Sequence, residues 1–185
     1  MVLLEQAVLR VLLESMVFNK YILIVILCFT TYISGSSEII EHAERYLHVR
    51  EITHNRGVEI DSMNVLCNVP LGSPWCASFA SWIYYHADYD APISAWSPSY
   101  AMKKDIIYKK NLKNNKKIQA GDAVTFYYSN LKRVGHVGII VKQEGDYLYT
   151  IEGNTNGNGS REGDGVYRKK RDINKIYTVT RYYEK

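Results

Sequence analysis

The chain is poor in the residues that build several protein classes. Three cysteines in 185 residues, with no CxxC pair among them, exclude a disulfide-framework miniprotein and a zinc ribbon. Charge of one sign is also scarce: 23 Lys and Arg stand against 19 Asp and Glu, and a net +4 is too mild to argue for nucleic acid. The apolar run Tyr21 to Phe29 is far shorter than the about 20 residues that a membrane-spanning helix needs. His42, His48 and His54 fall six apart, so they do not share a helix face at metal-ligand spacing. Internal repeats are absent. What remains, at 46% hydrophobic and 23% charged, excludes disordered, collagen-like and coiled-coil classes and suits an ordinary globular protein.

That short run, YILIVILCF, follows Lys20 and is followed by TTYISGSSE, with Ser34 and Ser36 at −3 and −1 of a cut before Ser37. A basic flank, a short apolar stretch and a small-residue exit describe a secretory leader over 1–36. An uncleaved anchor or a buried helix of the domain is the plainer alternative. Met16 would give a tidier start, and Leu27 before Cys28 gives little support to a lipoprotein cut. The expected mature part, 37–185, has single-domain length and keeps Cys67 and Cys76.

Within it, helical signals come first. SSEIIEHAERYLHVRE, with Ser36 or Ser37 as cap and Ile39, Ala43, Tyr46 and Leu47 as stripe, predicts a helix that THNRG breaks. VEIDSMNVL predicts a second helix, and Cys76, Phe79, Ala80, Ile83 and Ala87 predict a third that starts at or just before Cys76. A loop follows, with a short helix possible at SYAMKKD. Residues 103–117 hold seven lysines and one acid, read as a solvated loop, with attraction to an anionic polymer as the lesser alternative. The second half then reads as strands: AVTFYY, HVGIIV, YLYTIE, GVYRKK and IYTVTRYY, parted by Gly, Asn and Asp turns. Helices first and an antiparallel sheet second predict an α+β fold.

Three features bear chemistry. Cys76 lies at a predicted helix N-terminus, where the dipole and free N–H groups favour a thiolate and can hold an oxyanion. His136 lies in a strand between Gly135 and Gly138, small neighbours that leave its imidazole uncovered and let another backbone approach. Glu152 and Asn154 end the next strand. If Lys142 to Asp146 form a five-residue loop, Val141 pairs with Tyr147 and His136 lies directly opposite Glu152; a four-residue loop would separate them unless a bulge intervened. Each residue alone has a bland reading as packing, disulfide half or turn former. Together they point to a nucleophile with its base and orienting acid.

Gly72-Ser73-Pro74-Trp75-Cys76-Ala77-Ser78-Phe79, Gly121-Asp122, Gly135-His136-Val137-Gly138-Ile139 and Ile151-Glu152-Gly153-Asn154 together resemble a CHAP domain, a cysteine, histidine-dependent amidohydrolase/peptidase. The resemblance runs from about Asn55-Arg56-Gly57 to the C-terminus. It departs from the family in Ala120 before Gly121-Asp122, where a proline is common. The resemblance implies a papain-like α+β fold and hydrolysis of amide bonds in peptidoglycan. It makes Cys76 the nucleophile, His136 the base, Glu152 the orienting acid and Asn154 a supporting polar residue, able to take the place of Glu152. No acid lies between Leu66 and Trp75, so the calcium that some relatives bind just ahead of the nucleophile is not expected, nor any other metal or cofactor. Cys67 is then a buried free thiol. An exported monomer acting on peptidoglycan is expected, with no nucleic-acid partner and the membrane touched only through an uncleaved leader. The competing readings are an NlpC-type cysteine peptidase, which usually has a second histidine as third residue, and a noncatalytic envelope module closed by a Cys67–Cys76 disulfide. Pairs such as Tyr84-Tyr85 and Tyr127-Tyr128 alternate faces, so core and surface packing is the default for the 16 tyrosines, and a sugar- or peptide-stacking groove lined by half of them is the lesser alternative.

Overall fold

A computed structural model describes residues 36–102, 106–113, 115–158 and 162–183. Apart from Ser36, the leader expected at 1–36 lies outside the described residues. Among those residues, no helix is long and apolar enough to cross a membrane.

The α+β order holds. Among the described residues, three helices, α1 (36–45), α2 (Val58–Leu66) and α3 (Cys76–His86), precede six strands. These are β1 (Ile106–Lys109), β2 (Ala123–Tyr128), β3 (Arg133–Glu144), β4 (Tyr147–Thr155), β5 (Gly165–Asp172) and β6 (Thr178–Thr180). They form one antiparallel sheet in the order β1-β6-β2-β3-β4-β5. Helices α2 and α3 occupy the spans their spacing predicts.

The first helix is shorter than the sequence predicts. It ends at residue 45, because the following segment turns extended: Val49 accepts from the Val166 N–H, and Arg50 bridges Gly165 of β5. The Arg50 guanidinium donates to the carbonyls of Leu47 and Val49 there, which replaces the lost helical bonds. The lysine-rich stretch is not wholly loop either. Ile106 and Ile107 open β1, which pairs with β6, and Ile107 is buried. The short helix considered at SYAMKKD is a single 3-10 turn, Ser97–Ala101. The last strand is confined to Thr178–Thr180, because Arg181 leaves the ladder to meet Asp122.

Period-two alternation gives the sheet two apolar faces. Ala123, Val137, Ile139, Ile151 and Val166 pack under α3 with Phe79, Ala80 and Ile83. Val124, Phe126, Ile140, Leu148 and Val179 form a second core on the other face. Both sides of the central strands are therefore covered, and β2–β4 read as near-continuous apolar runs for that reason.

Asp122, fully buried at the entrance to β2, ties that strand to the residue that follows its neighbour β6. It accepts from the Gln119 N–H at 2.7 Å and from Arg181 Nε at 2.7 Å and Nη2 at 3.0 Å. Breaking a buried ion pair on one side costs about 3–5 kcal/mol, because the remaining charge stays desolvated. Asp122→Asn is expected to lower the unfolding free energy by that order, read from the urea midpoint; a loss below about 1 kcal/mol would show that the pair is not structural.

Candidate active site

The sequence around Cys76 builds a pinned loop. Trp75 is fully buried, its indole N–H donates to Glu51 Oε1 at 2.9 Å, and the Asn55 and Asn64 amides hold the Gly72 and Ser73 carbonyls. Gly153 on β4 leaves room for this packing: a Cβ there would stand 2.7 Å from Phe79 Cβ and 2.8 Å from Trp75 Cζ3. The start of α3 therefore sits tight against β4. Cys76 is the first residue of α3, and no side chain caps that end, so its first-turn N–H groups are not spent on a cap.

His136 and Glu152 lie on the sheet face that carries Phe126 and Ile140. They bond through His136 Nε2 and Glu152 Oε2 at 2.8 Å, and both side chains are fully buried. The geometry that joins them differs from the predicted one. The hairpin turn is Gly145-Asp146, with Glu144 paired to Tyr147, far tighter than a five-residue loop. A two-residue turn alone would set the two residues on opposite faces. A bulge between Ile140 and Lys142 restores parity, so Ile139 pairs with Ile151 and Gly138 falls across from Glu152. The carboxylate reaches His136 diagonally over Gly138, where a Cβ would stand 2.5 Å from Glu152 Cγ. A side chain, not a backbone, is what that glycine admits. The imidazole itself is not uncovered: Phe126 packs on it with ring centroids 5.7 Å apart.

Asn154 does not bond the imidazole. With its amide turned so that both ends are satisfied, it accepts from the Trp75 N–H at 2.9 Å and donates to the Gly163 carbonyl at 3.1 Å. It thus braces the residue before Cys76, from a left-handed backbone position with φ 53°. Cys67 and Cys76 are both free thiols, which removes the disulfide alternative; Cys67 is only partly buried.

Several site residues escaped the sequence reading. Arg171 on β5 grips Glu152 with two donors, Nε to Oε1 at 2.8 Å and Nη2 to Oε2, and Thr150 Oγ1 donates to Oε1 at 2.6 Å. Ser97 Oγ lies 3.4 Å from Cys76 Sγ. A cleft of about 220 Å³ opens above the thiol between Ser73, Pro74, Trp96, Ser97 and Arg133. Arg171 sat in a basic run that looks solvated. Only the β4–β5 register, which pairs it with Leu148 and puts it on the face of Glu152, distinguishes it.

The electrostatics follow. Burial would raise the Glu152 carboxyl, but the bonds from Arg171 and His136 hold it down at about 2. An ionised carboxylate only accepts, so Nε2 carries a proton and Nδ1 is the basic nitrogen. Nδ1 is buried and has no hydrogen-bond partner of ordinary geometry, and the group it interacts with is the thiol. For His136, burial pulls downward, yet Cys76 and Glu152 outweigh it and push the imidazole up to about 9. For Cys76, burial pushes upward, but His136, the Ser97 hydroxyl and the Val137 N–H together bring the thiol below its ordinary value. Both shifts run toward a thiolate beside an imidazolium. Among the described residues, no three His, Cys, Asp or Glu side chains converge as metal ligands.

The signs give a testable window. His136 is raised from 6.5, so the stability its charge contributes is complete below pH 6.5 and is lost as pH rises through about 9. Glu152 is lowered from 4.5, so its contribution is complete above that value and is lost as pH falls toward about 2. The pH midpoint for alkylation of Cys76 by iodoacetamide should accordingly lie below the ordinary thiol value and rise toward normal in His136→Ala. An unshifted wild-type midpoint would dismiss the ion pair. Gly138→Ala should drive Glu152 off the imidazole and raise the midpoint likewise, while costing about 1–3 kcal/mol of stability in a urea titration.

A family model described as CHAP domain matches residues 68–154, the segment that carries Cys76, His136 and Glu152. No curated protein and no solved structure matches the chain.

Proposed function

We propose that the chain, in which a CHAP domain model matches residues 68–154, is a secreted peptidoglycan hydrolase that uses Cys76 as nucleophile. The observation that supports this most is the buried line from Arg171 through Glu152 and His136 to Cys76. It supplies the three things that thiol-dependent acyl transfer needs: a thiol made more acidic by the imidazole beside it, an acid to protonate the leaving group, and a fixed tautomer.

In this reading the Cys76 thiolate attacks the amide carbonyl carbon. The C–S bond forms, and the carbonyl electron pair moves onto oxygen, which the Cys76 N–H at the start of α3 stabilises. The pair returns, the C–N bond breaks, and His136 gives its Nδ1 proton to the departing amine. Water then attacks the thioester while the neutral imidazole takes its proton, and the acid product leaves with Cys76 restored as thiolate. Glu152 keeps Nε2 protonated throughout, and Arg171 keeps Glu152 ionised. The third group on the imidazole is a carboxylate, which favours this arrangement over the histidine usual in NlpC-type peptidases.

The apolar run Tyr21–Phe29 behind Lys20 supports export, which brings the domain to the cell wall. With purified peptidoglycan, the wild-type protein should release new amino and carboxyl ends. Cys76→Ser and His136→Ala should each lower the rate roughly a thousandfold or more with an unchanged circular dichroism spectrum. Retained turnover in either variant would refute the assignment, and mass spectrometry of the released muropeptides identifies the bond.

A further inference from the structure

Arg133 stands apart from the other described arginines. Five of those pair with a carboxylate, and Arg50 turns its Nη1 to three backbone carbonyls. Arg133 pairs with no carboxylate among the described residues; its one hydrogen bond runs from Nη1 to the neighbouring Val134 carbonyl at 2.9 Å. Its guanidinium lies 4.2 Å from the centre of the Trp96 ring, and both residues line the cleft above Cys76. Trp96 is 53% exposed, a large indole face left to solvent beside the thiol cleft.

The fold aims this pair at the cleft. Arg133 and His136 are an odd number of positions apart, so a regular strand would point them to opposite faces. The β2–β3 register shifts at Gly135, between the pairs Phe126–His136 and Tyr127–Val134. That bulge reverses the alternation, so that Arg133 lines the cleft whose floor is Cys76. The Trp96 ring lies against the guanidinium, and among the described residues the one hydrogen bond engages Nη1, which leaves Nε and Nη2 as donors for a ligand in the cleft. Two coplanar donors on one edge match a carboxylate.

We propose that Arg133, braced by Trp96, binds a free carboxylate of the peptide substrate, so that the bond cut lies close to an acidic residue or a peptide C-terminus. This rests on the reading of the site as a peptidoglycan amide hydrolase and names the feature by which it selects its substrate. The cleft also has a size that fits one or two residues beside the scissile bond.

Two measurements separate this inference from the reading it rests on. The first needs no turnover: Cys76 is alkylated with iodoacetate, an anion, and with iodoacetamide, its neutral isostere, the rates being read by peptide mapping so that Cys67 does not interfere. Arg133→Gln should lower the iodoacetate-to-iodoacetamide rate ratio roughly tenfold and leave the iodoacetamide rate unchanged. The second compares cell-wall peptides whose carboxylate is free or amidated. The wild type should prefer the free acid by roughly 10- to 100-fold in kcat/KM, and Arg133→Gln should lose that preference by slowing on the acid alone. An unchanged alkylation ratio in Arg133→Gln overturns the anion site. A lowered ratio with equal wild-type rates on acid and amide overturns the carboxylate as the group selected. A lowered ratio with no wall peptide cut at all keeps the anion site and overturns the hydrolase reading instead.

Discussion

A carboxylate with no exposure to water dictates the centre of this protein. Glu152 has none, and an ionised group so placed is tolerable only if its lone pairs are filled. Arg171, Thr150 and His136 fill them, and each is brought by the sheet: β5 supplies the arginine, β4 the threonine, β3 the imidazole. The requirement reaches outward from there. It decides that position 138 has no side chain, which imidazole nitrogen carries the proton, and which nitrogen faces the thiol. The nucleophile lies three partners removed from Arg171 and is nevertheless governed by it.

The cluster stays neutral as its proton moves. With thiol and imidazole uncharged, Arg171 balances Glu152; with thiolate and imidazolium, two positive groups balance two negative ones. Proton transfer from Cys76 to His136 therefore separates charge inside a neutral box, and no net charge has to enter an apolar core. The loop that carries the thiol is fixed with matching care. Glu51 and Asn154 hold Trp75 by its indole and its backbone, so the first turn of α3 keeps its place relative to β4. A nucleophile held in this way spends little entropy on reaching its attack position.

How much of this was legible in the sequence depended on the range of the interaction. Helices α2 and α3 follow from apolar spacing over a few residues, and the position of Cys76 at a helix start follows with them. Strands β2 to β5 were visible as β-branched and aromatic runs. The link between His136 and Glu152 was correctly read as a same-face neighbour relation, but from a register that does not occur. Turn length and bulges are set by backbone packing across strands, which residue type encodes weakly. The same blindness hid Arg171, an ordinary basic residue until β5 is aligned with β4, and β1, whose two isoleucines sit in a lysine-rich stretch. It also made Asn154 look like a partner of the imidazole, when its amide reaches back to Trp75 instead.

The bulge after Ile140 has a meaning beyond its hydrogen bonds. The hairpin arm of β3 and β4 contains an odd residue, and this irregularity absorbs it, much as a leap day keeps a calendar in phase with the seasons. Length in this arm is thus quantised. Adding or removing a single residue within one strand, between His136 and Glu144 or between Tyr147 and Glu152, throws base and acid to opposite sides of the sheet unless a further bulge absorbs it, whereas a paired change, one in each strand, keeps them together. Length variants of this hairpin can conserve the chemistry only by conserving its parity, whatever happens to the residues at its exposed tip.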